Sequence, residues 1–148
     1  MTIHRSMRQA GYTLIELMIT VSILALLARI AYVSYISMVQ KSNRSDAKDA
    51  LVNDAQTLER CYSQYFYYQA TGTQPACPTL QTQSSNKLYT IAATFPTTTS
   101  FTITATPAAG GSQANDSKCA SFTIDNLGNQ KATNSSSTDN SSYCWTGH

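Results

Sequence analysis

The chain has 148 residues, enough for one small domain and an appended segment. Charged residues make up 12 % of it, against about a quarter in ordinary globular proteins, and the formal net charge is +2. Arg5 and Arg8 supply that excess, so the chain from residue 12 onward sums to zero. Since this charge distribution shows no basic stripe of the kind that binds nucleic acids, we expect no nucleic-acid partner.

A long apolar run follows the short basic start. From Leu17 to Val39 the only charged residue is Arg29. As a helix this run measures about 34 Å, enough to cross a bilayer core of about 30 Å. Positive charge before the run predicts that the N-terminus stays in the cytoplasm and that the rest of the chain is exported.

The most plausible processing point lies before the apolar run. A secretory signal is cut after its apolar region, whereas cleavage between Gly11 and Tyr12 leaves the hydrophobic helix on the mature chain. Glu16 is then a lone acid one helical turn from a new amino group, on the same face. It either pairs with such an amine, its own or a neighbour's, or is an incidental acid near the head groups.

The segment GYTLIELMITVSILALLARIAYVSY resembles the N-terminal signature of type IV pilins and related pseudopilins. This resemblance implies cleavage between Gly11 and Tyr12 by a prepilin peptidase and methylation of the new Tyr12 amine. It also implies that Glu16 guides the subunit into register with its neighbour during assembly.

The resemblance divides the chain into three parts. It implies a prepilin leader at residues 1–11, a transmembrane and filament-core helix at 12–40, and a globular pilin domain at 41–148. Ala25 and Val33 stand where many members have Gly and Pro, so the helix-breaking pair is absent from this run.

The helical pattern continues beyond the apolar run. No Gly or Pro lies between Thr13 and Ala70. In the second half of this stretch apolar residues recur every three or four positions, at Ala47, Leu51, Ala55, Leu58, Tyr62 and Tyr65. This spacing predicts one long helix whose outer half carries an apolar stripe.

Strand-like runs follow the helix, separated by turn residues. They are Leu88–Phe95, Phe101–Thr106 and Ala120–Asp125, with a short fourth strand near Gln130–Thr133. A long helix followed by antiparallel strands predicts an α+β fold, in which the N-terminal α-helix packs on a small antiparallel β-sheet of three to four strands, as in pilins.

Four cysteines in a chain with an export-like start argue for two disulfides. Of the three possible connectivities, locality favours Cys61–Cys77 and Cys119–Cys144. The second pair also resembles the C-terminal disulfide-bounded loop of pilins. A metal site is disfavoured because there is no C-x-x-C pair and the only histidines, His4 and His148, lie at the two ends.

No catalytic motif is present, so we expect neither an enzyme nor a cofactor. Glu59 and the Asp residues are interpreted as surface charges. The segment KCASFTIDNLGNQKA and the later pair Cys144-Trp145 resemble minor type IVa pilins of the PilE kind. The leading hypothesis is therefore a minor pilin, and this resemblance implies roles in pilus biogenesis, twitching motility and adhesion. Its expected partners are other pilin subunits, the prepilin peptidase, the inner-membrane assembly machinery and the membrane itself.

The expected location is the inner membrane of a Gram-negative bacterium before assembly and the extracellular pilus afterwards. Within the family, a major pilin, a pseudopilin and a competence pilin are alternatives. From a different class, the alternative is a membrane-anchored extracytoplasmic binding domain that does not polymerise.

Overall fold

The computed structural model describes residues 11–147. Helix α1 spans Leu14–Tyr65, 52 residues. Thr13 caps its first turn, because the Thr13 side-chain oxygen accepts a hydrogen bond from the Glu16 N–H at 3.3 Å. The helix ends at Tyr65, and the next residue, Phe66, has a left-handed backbone with φ 62°.

The described residues form two compact units, which are divided between Ser37 and Met38. In the first unit, every described residue of α1 is exposed, including all its large apolar side chains. The helix is unbroken through Ala25 and Val33, and by length and composition it is able to cross a membrane. The predicted leader, apart from Gly11, lies outside the described residues.

The second unit, called the globular unit here, contains one antiparallel sheet in the order β1-β2-β3-β4. Its strands are β1 Tyr89–Thr97, β2 Ser100–Pro107, β3 Ser121–Asp125 and β4 Gln130–Thr133. The α+β prediction, with helix first and sheet second, is therefore confirmed. A 3-10 helix, Ser112–Asn115, and a π-helical turn, Ser142–Thr146, were not predicted.

The core lies between the outer half of α1 and one face of the sheet. The predicted stripe supplies Ala47, Leu51, Ala55 and Leu58, all buried. Alternate strand residues face them, because successive side chains point to opposite faces of a sheet. These are Tyr89, Ile91, Phe101, Ile103, Ala105, Phe122, Ile124 and Ala132.

Both edges of the sheet are covered by loops of the same chain. Along β1, the Ile91 N–H donates to Thr82 O at 2.9 Å, and the pairing with β2 becomes irregular around Pro96, which has no N–H to donate. Along β4, the Asn140 N–H donates to Ala132 O at 2.9 Å. Neither edge strand therefore presents its full row of backbone groups to solvent.

Two disulfides brace the globular unit. Cys61, near the end of α1, is bonded to Cys77 in the following loop. Cys119, just before β3, is bonded to Cys144 in the π-helical turn. The second bond ties the end of the described chain back to the sheet.

The interpretation of the Asp residues as surface charges is wrong for three of them: Asp46, Asp54 and Asp116 are buried. Asp46 and Asp54 point from α1 into the loop before β1. Asp46 accepts hydrogen bonds from the N–H and side-chain amide of Asn86, both at 3.1 Å, and Asp54 accepts one from the Gln81 N–H at 3.3 Å. Within residues 11–147, the second oxygen of each carboxylate has no hydrogen-bond partner.

Replacing Asp54 with Asn is expected to stabilise the protein near neutral pH. Burial raises the pKa of Asp54, and the hydrogen bond from Gln81 only partly offsets this. The folded protein therefore binds the Asp54 proton more tightly than the unfolded chain does. The contribution of Asp54 to the free energy of unfolding falls as the pH rises from its pKa in the unfolded chain through its higher pKa in the folded protein. Asn does not ionise and keeps an acceptor for Gln81, so we expect the free energy of unfolding to rise by about 1 kcal/mol at neutral pH.

Urea denaturation near neutral pH and at about pH 3 measures this effect, and no gain is expected at the acidic pH, where the carboxyl is protonated in both states. Asp49→Asn, on the exposed side of the same helix, is the matched control. Loss of stability in Asp54→Asn at neutral pH contradicts the prediction.

Candidate functional site

Five cationic residues from three segments contact the π-helical turn or the glycine that ends it, four through their side chains and Lys131 through its backbone carbonyl. Three of them lie on one face of α1, at spacings of three and four residues. A fourth lies just before β3, and the fifth lies in β4. They are Lys41, Arg44, Lys48, Lys118 and Lys131, and we call them the basic cluster. All five lie in the globular unit.

Arg44 is the buried member of the cluster. Its guanidinium makes two hydrogen bonds to the Asp116 carboxylate, at 2.8 and 3.0 Å, and lies 5.1 Å from the centroid of the Tyr143 ring. Burial alone lowers the pKa of Arg44, but hydrogen bonds to Asp116 and Tyr143 outweigh it and raise that pKa. Because Asp116 balances its charge, Arg44 holds the turn in place and contributes no net charge to the surface.

Lys118 reaches the same ring. Its ammonium lies 5.1 Å from the Tyr143 centroid and 3.4 Å from the Tyr143 hydroxyl oxygen. Hydrogen bonds from Arg44 and then Lys118 lower the pKa of that hydroxyl. Tyr143 therefore links a buried cation to an exposed one.

Lys41 and Lys48 bind the backbone of the turn. Lys41 Nζ donates to Gly147 O at 3.0 Å, and Lys48 Nζ donates to Trp145 O at 3.2 Å. Gly147 ends the turn at φ 81°, and a Cβ there would lie 3.4 Å from Lys41 Cε. Each lysine keeps two further N–H donors for other partners.

Trp145 ties the turn to the backbone of Lys131. Its indole Nε1 donates to Lys131 O at 2.9 Å, and its ring packs edge-to-face on Phe122 with centroids 5.9 Å apart. The Cys119–Cys144 bond lies at the centre, since Cys119 follows Lys118 and Cys144 separates the two aromatic residues of the turn. Asp125 and Asp139 both lie near Lys131, and hydrogen bonds from Ser141 lower the pKa of Asp139.

Lys41, Lys118 and Lys131 are exposed and Lys48 is half-buried. The acids beside these four lysines are Asp49, next to Lys48 in the chain, and Asp125 and Asp139, close to Lys131, so the lysines are in excess. Such a surface attracts polyanions. Sequence reasoning missed it because Lys118 and Lys131 are far from α1 in the chain. One signal was available: Lys41, Arg44 and Lys48 fall on one helix face.

The structure places the predicted assembly residues at the start of α1. Gly11 and Tyr12 precede the helix, and Glu16 lies in its first turn, with all three exposed. Glu16 follows Thr13 by three residues, the spacing of a capping box, and its charge suits the positive end of the helix dipole. Across residues 11–147, no group of His, Cys, Asp and Glu is placed to hold a metal ion.

Residues 33–123 match the model of a family described as type IV minor pilin ComP, DNA uptake sequence receptor. The chain belongs to this family of type IV minor pilins. Residues 6–32 match the prokaryotic N-terminal methylation motif. The predicted recognition as a type IV pilin is confirmed, and membership agrees with a structural, non-enzymatic protein.

A solved minor pilin shares the fold of this chain. The non-core minor pilin PilV of Neisseria meningitidis is 20 % identical, with a TM-score of 0.54 over 69 % of this chain and 94 % of that one. A type IV pilin from Shewanella oneidensis is 26 % identical, with a TM-score of 0.44 over 62 % of this chain and 89 % of that one. No curated protein matches the chain.

The family corrects the expectation that nucleic acid is not a partner, because it is described as a DNA uptake sequence receptor. The net charge of the chain does not describe the charge of one part of its surface. The fold buries three of the acids, Asp46, Asp54 and Asp116, and gathers lysines from separate segments on one surface. A neutral sum over the chain is therefore compatible with a locally positive face.

Proposed function

We propose that this minor pilin is a DNA-uptake pilin that binds duplex DNA through the basic cluster. The family match carries the proposal, and it includes three of the four surface lysines, Lys41, Lys48 and Lys118. This favours the competence-pilin alternative over a role in motility or adhesion.

The lysines supply the electrostatic part of binding. Each ammonium that neutralises a phosphate releases a condensed counterion, so affinity falls steeply with salt. Arg44, Tyr143 and Trp145 are anchored inside the globular unit and hold the lysines in position. A preformed set of donors loses little conformational entropy on binding, which favours affinity.

The double variant Lys118→Gln/Lys131→Gln is expected to bind duplex DNA about ten- to a hundredfold more weakly at about 0.1 M salt, because two phosphate contacts are lost. The slope of log affinity against log salt should become shallower by about 2. Fluorescence anisotropy of a labelled duplex, titrated with the full chain in detergent, measures both quantities.

Arg60→Gln/Lys87→Gln is the matched control, since it removes the same charge from exposed residues outside the cluster. Equal losses in both double variants, or no loss in either, would contradict the assignment of the site. Selection from a random duplex library then separates a sequence-specific receptor, which enriches a motif, from a general DNA binder, which does not.

We further propose the pilin maturation route for this chain. Residues 1–11 are the leader, Gly11–Tyr12 is the bond cut by a prepilin peptidase, and the Tyr12 amine is methylated. The methylation-motif match and the exposed apolar helix support this route. The helix at 12–40 first anchors the subunit in the inner membrane and then packs in the pilus, while 41–148 is exported.

Replacing Glu16 with Ala is expected to abolish incorporation into pili while leaving the subunit in the membrane. We propose that the Glu16 carboxylate pairs with the Tyr12 amine of a neighbouring subunit, and an unpaired charge is costly in an apolar surrounding. Immunoblotting of sheared pili and of membranes measures the two pools.

Asp49→Ala removes an exposed acid from the same helix and should assemble normally. Mass spectrometry of the mature subunit should find N-methyl-Tyr12 as its first residue. A chain that begins at Met1, or normal piliation by Glu16→Ala, refutes this route.

A further inference from the structure

We propose that the basic cluster binds anionic phospholipid head groups while the subunit is held in the membrane. The inference rests on the proposed membrane stage and is independent of DNA binding. It assigns the same lysines a lipid partner before assembly, so that the DNA-binding surface is occupied until the subunit leaves the bilayer.

The cluster begins along α1 directly after the apolar run. The apolar run ends at Val39, and α1 continues without a break. At about 1.5 Å per residue, Lys41 lies about 3 Å beyond that end, Arg44 about 8 Å and Lys48 about 14 Å. The head-group region extends roughly 5–8 Å beyond the hydrocarbon core on each side, and a lysine side chain reaches several ångströms further.

The turn bound by Lys41 carries two aromatic side chains. Because Lys41 Nζ binds Gly147 O, the turn with Tyr143 and Trp145 lies beside the first residues after the apolar run. Tyr and Trp are the side chains enriched at membrane interfaces, where their rings and polar groups meet both environments. Both are half-buried here, so part of each ring is open to a partner.

The positive charge of the cluster favours a lipid whose head group is negatively charged. Among the described residues, the four lysines of the cluster outnumber the acids beside them, Asp49, Asp125 and Asp139, whereas Arg44 is already balanced by Asp116. Each basic residue near an anionic bilayer surface raises the partition coefficient for that surface about fivefold. A zwitterionic head group has no net charge and lacks this attraction. The proposed partner is therefore a phospholipid of net negative charge.

Trp145 is the only tryptophan of the chain, so its fluorescence reports on this surface directly. We expect the full chain, reconstituted in vesicles with about one-third phosphatidylglycerol in phosphatidylcholine, to show blue-shifted emission relative to vesicles of phosphatidylcholine alone. The acrylamide quenching constant should fall at least about twofold, because head groups shield the ring from water. Salt at about 0.5 M should remove both differences.

Lys41→Gln/Lys48→Gln should lose the difference between the two lipids, Lys41→Arg/Lys48→Arg should keep it, and Arg60→Gln/Lys87→Gln should keep it as well. The same emission and quenching in both vesicles for the unaltered chain overturns the proposal. Flotation with phosphatidylcholine vesicles tests the membrane stage separately. The experiment contains no DNA, so its failure leaves the DNA proposal standing.

Discussion

Arg44→Met is expected to lower the free energy of unfolding by about 3–5 kcal/mol, because it leaves the Asp116 carboxylate buried without its cation. The exposed fractions of the two side chains are 4 % and 1 %, so water cannot replace the lost partner. Asp116 also accepts hydrogen bonds from the N–H groups of Lys118 and Cys119 and therefore fixes the start of β3. Urea denaturation measures the loss.

The double variant Arg44→Met/Asp116→Asn is the control. Asn keeps an oxygen for the two N–H groups and has no charge to balance, so we expect stability within about 1 kcal/mol of the parent. A single variant as stable as the parent, or a double variant as unstable as the single one, shows that charge pairing is not what holds this region.

Cys119→Ser/Cys144→Ser is expected to cost about 3.5 kcal/mol of stability in the loop-entropy model and to abolish tight DNA binding. The bond closes a loop with a sequence separation of 25 and is the one covalent tie between the turn and the segment that carries Lys118. Without it, the lysines that bind the backbone of the turn lose their fixed arrangement. Thermal unfolding and DNA anisotropy measure the two effects.

Cys61→Ser/Cys77→Ser is a close match for the control, since its loop, with a separation of 16, gives a cost of about 3.1 kcal/mol. That pair lies near the far end of α1, so DNA binding should persist at temperatures where the variant is folded. If both double variants lose DNA binding together, global stability rather than the position of the turn determines affinity.

The helix and the strands were predictable because local rules determine them. Apolar residues at helical spacing predicted one helix through Tyr65, and alternation of Thr, Ile and Phe predicted strands within one or two residues of their observed ends. The fourth strand, Gln130–Thr133, was placed at its observed bounds. The N-terminal motif was enough to recognise a type IV pilin, but it did not identify the DNA-uptake family within that group.

The candidate site was not predictable to the same degree. The turn Ser142–Thr146 has no local pattern of its own, and contacts from Lys41, Lys48 and a disulfide fix it. The burial of Asp116 depends on Arg44, which is 72 positions away in the chain. Such pairings are set by tertiary packing, so a sum of charges along the sequence could not identify the surface that they leave exposed.

The covered edges of the sheet limit the ways in which subunits can join. An open edge strand is a template for cross-chain pairing, and subunits concentrated in a membrane or a filament are exposed to that hazard. Here residues 82–84 bridge β1, Pro96 interrupts its pairing, and the segment ending at Asn140 bridges β4. Strand exchange and amyloid-like stacking are thereby disfavoured, which agrees with the proposal that subunits join through the N-terminal helix.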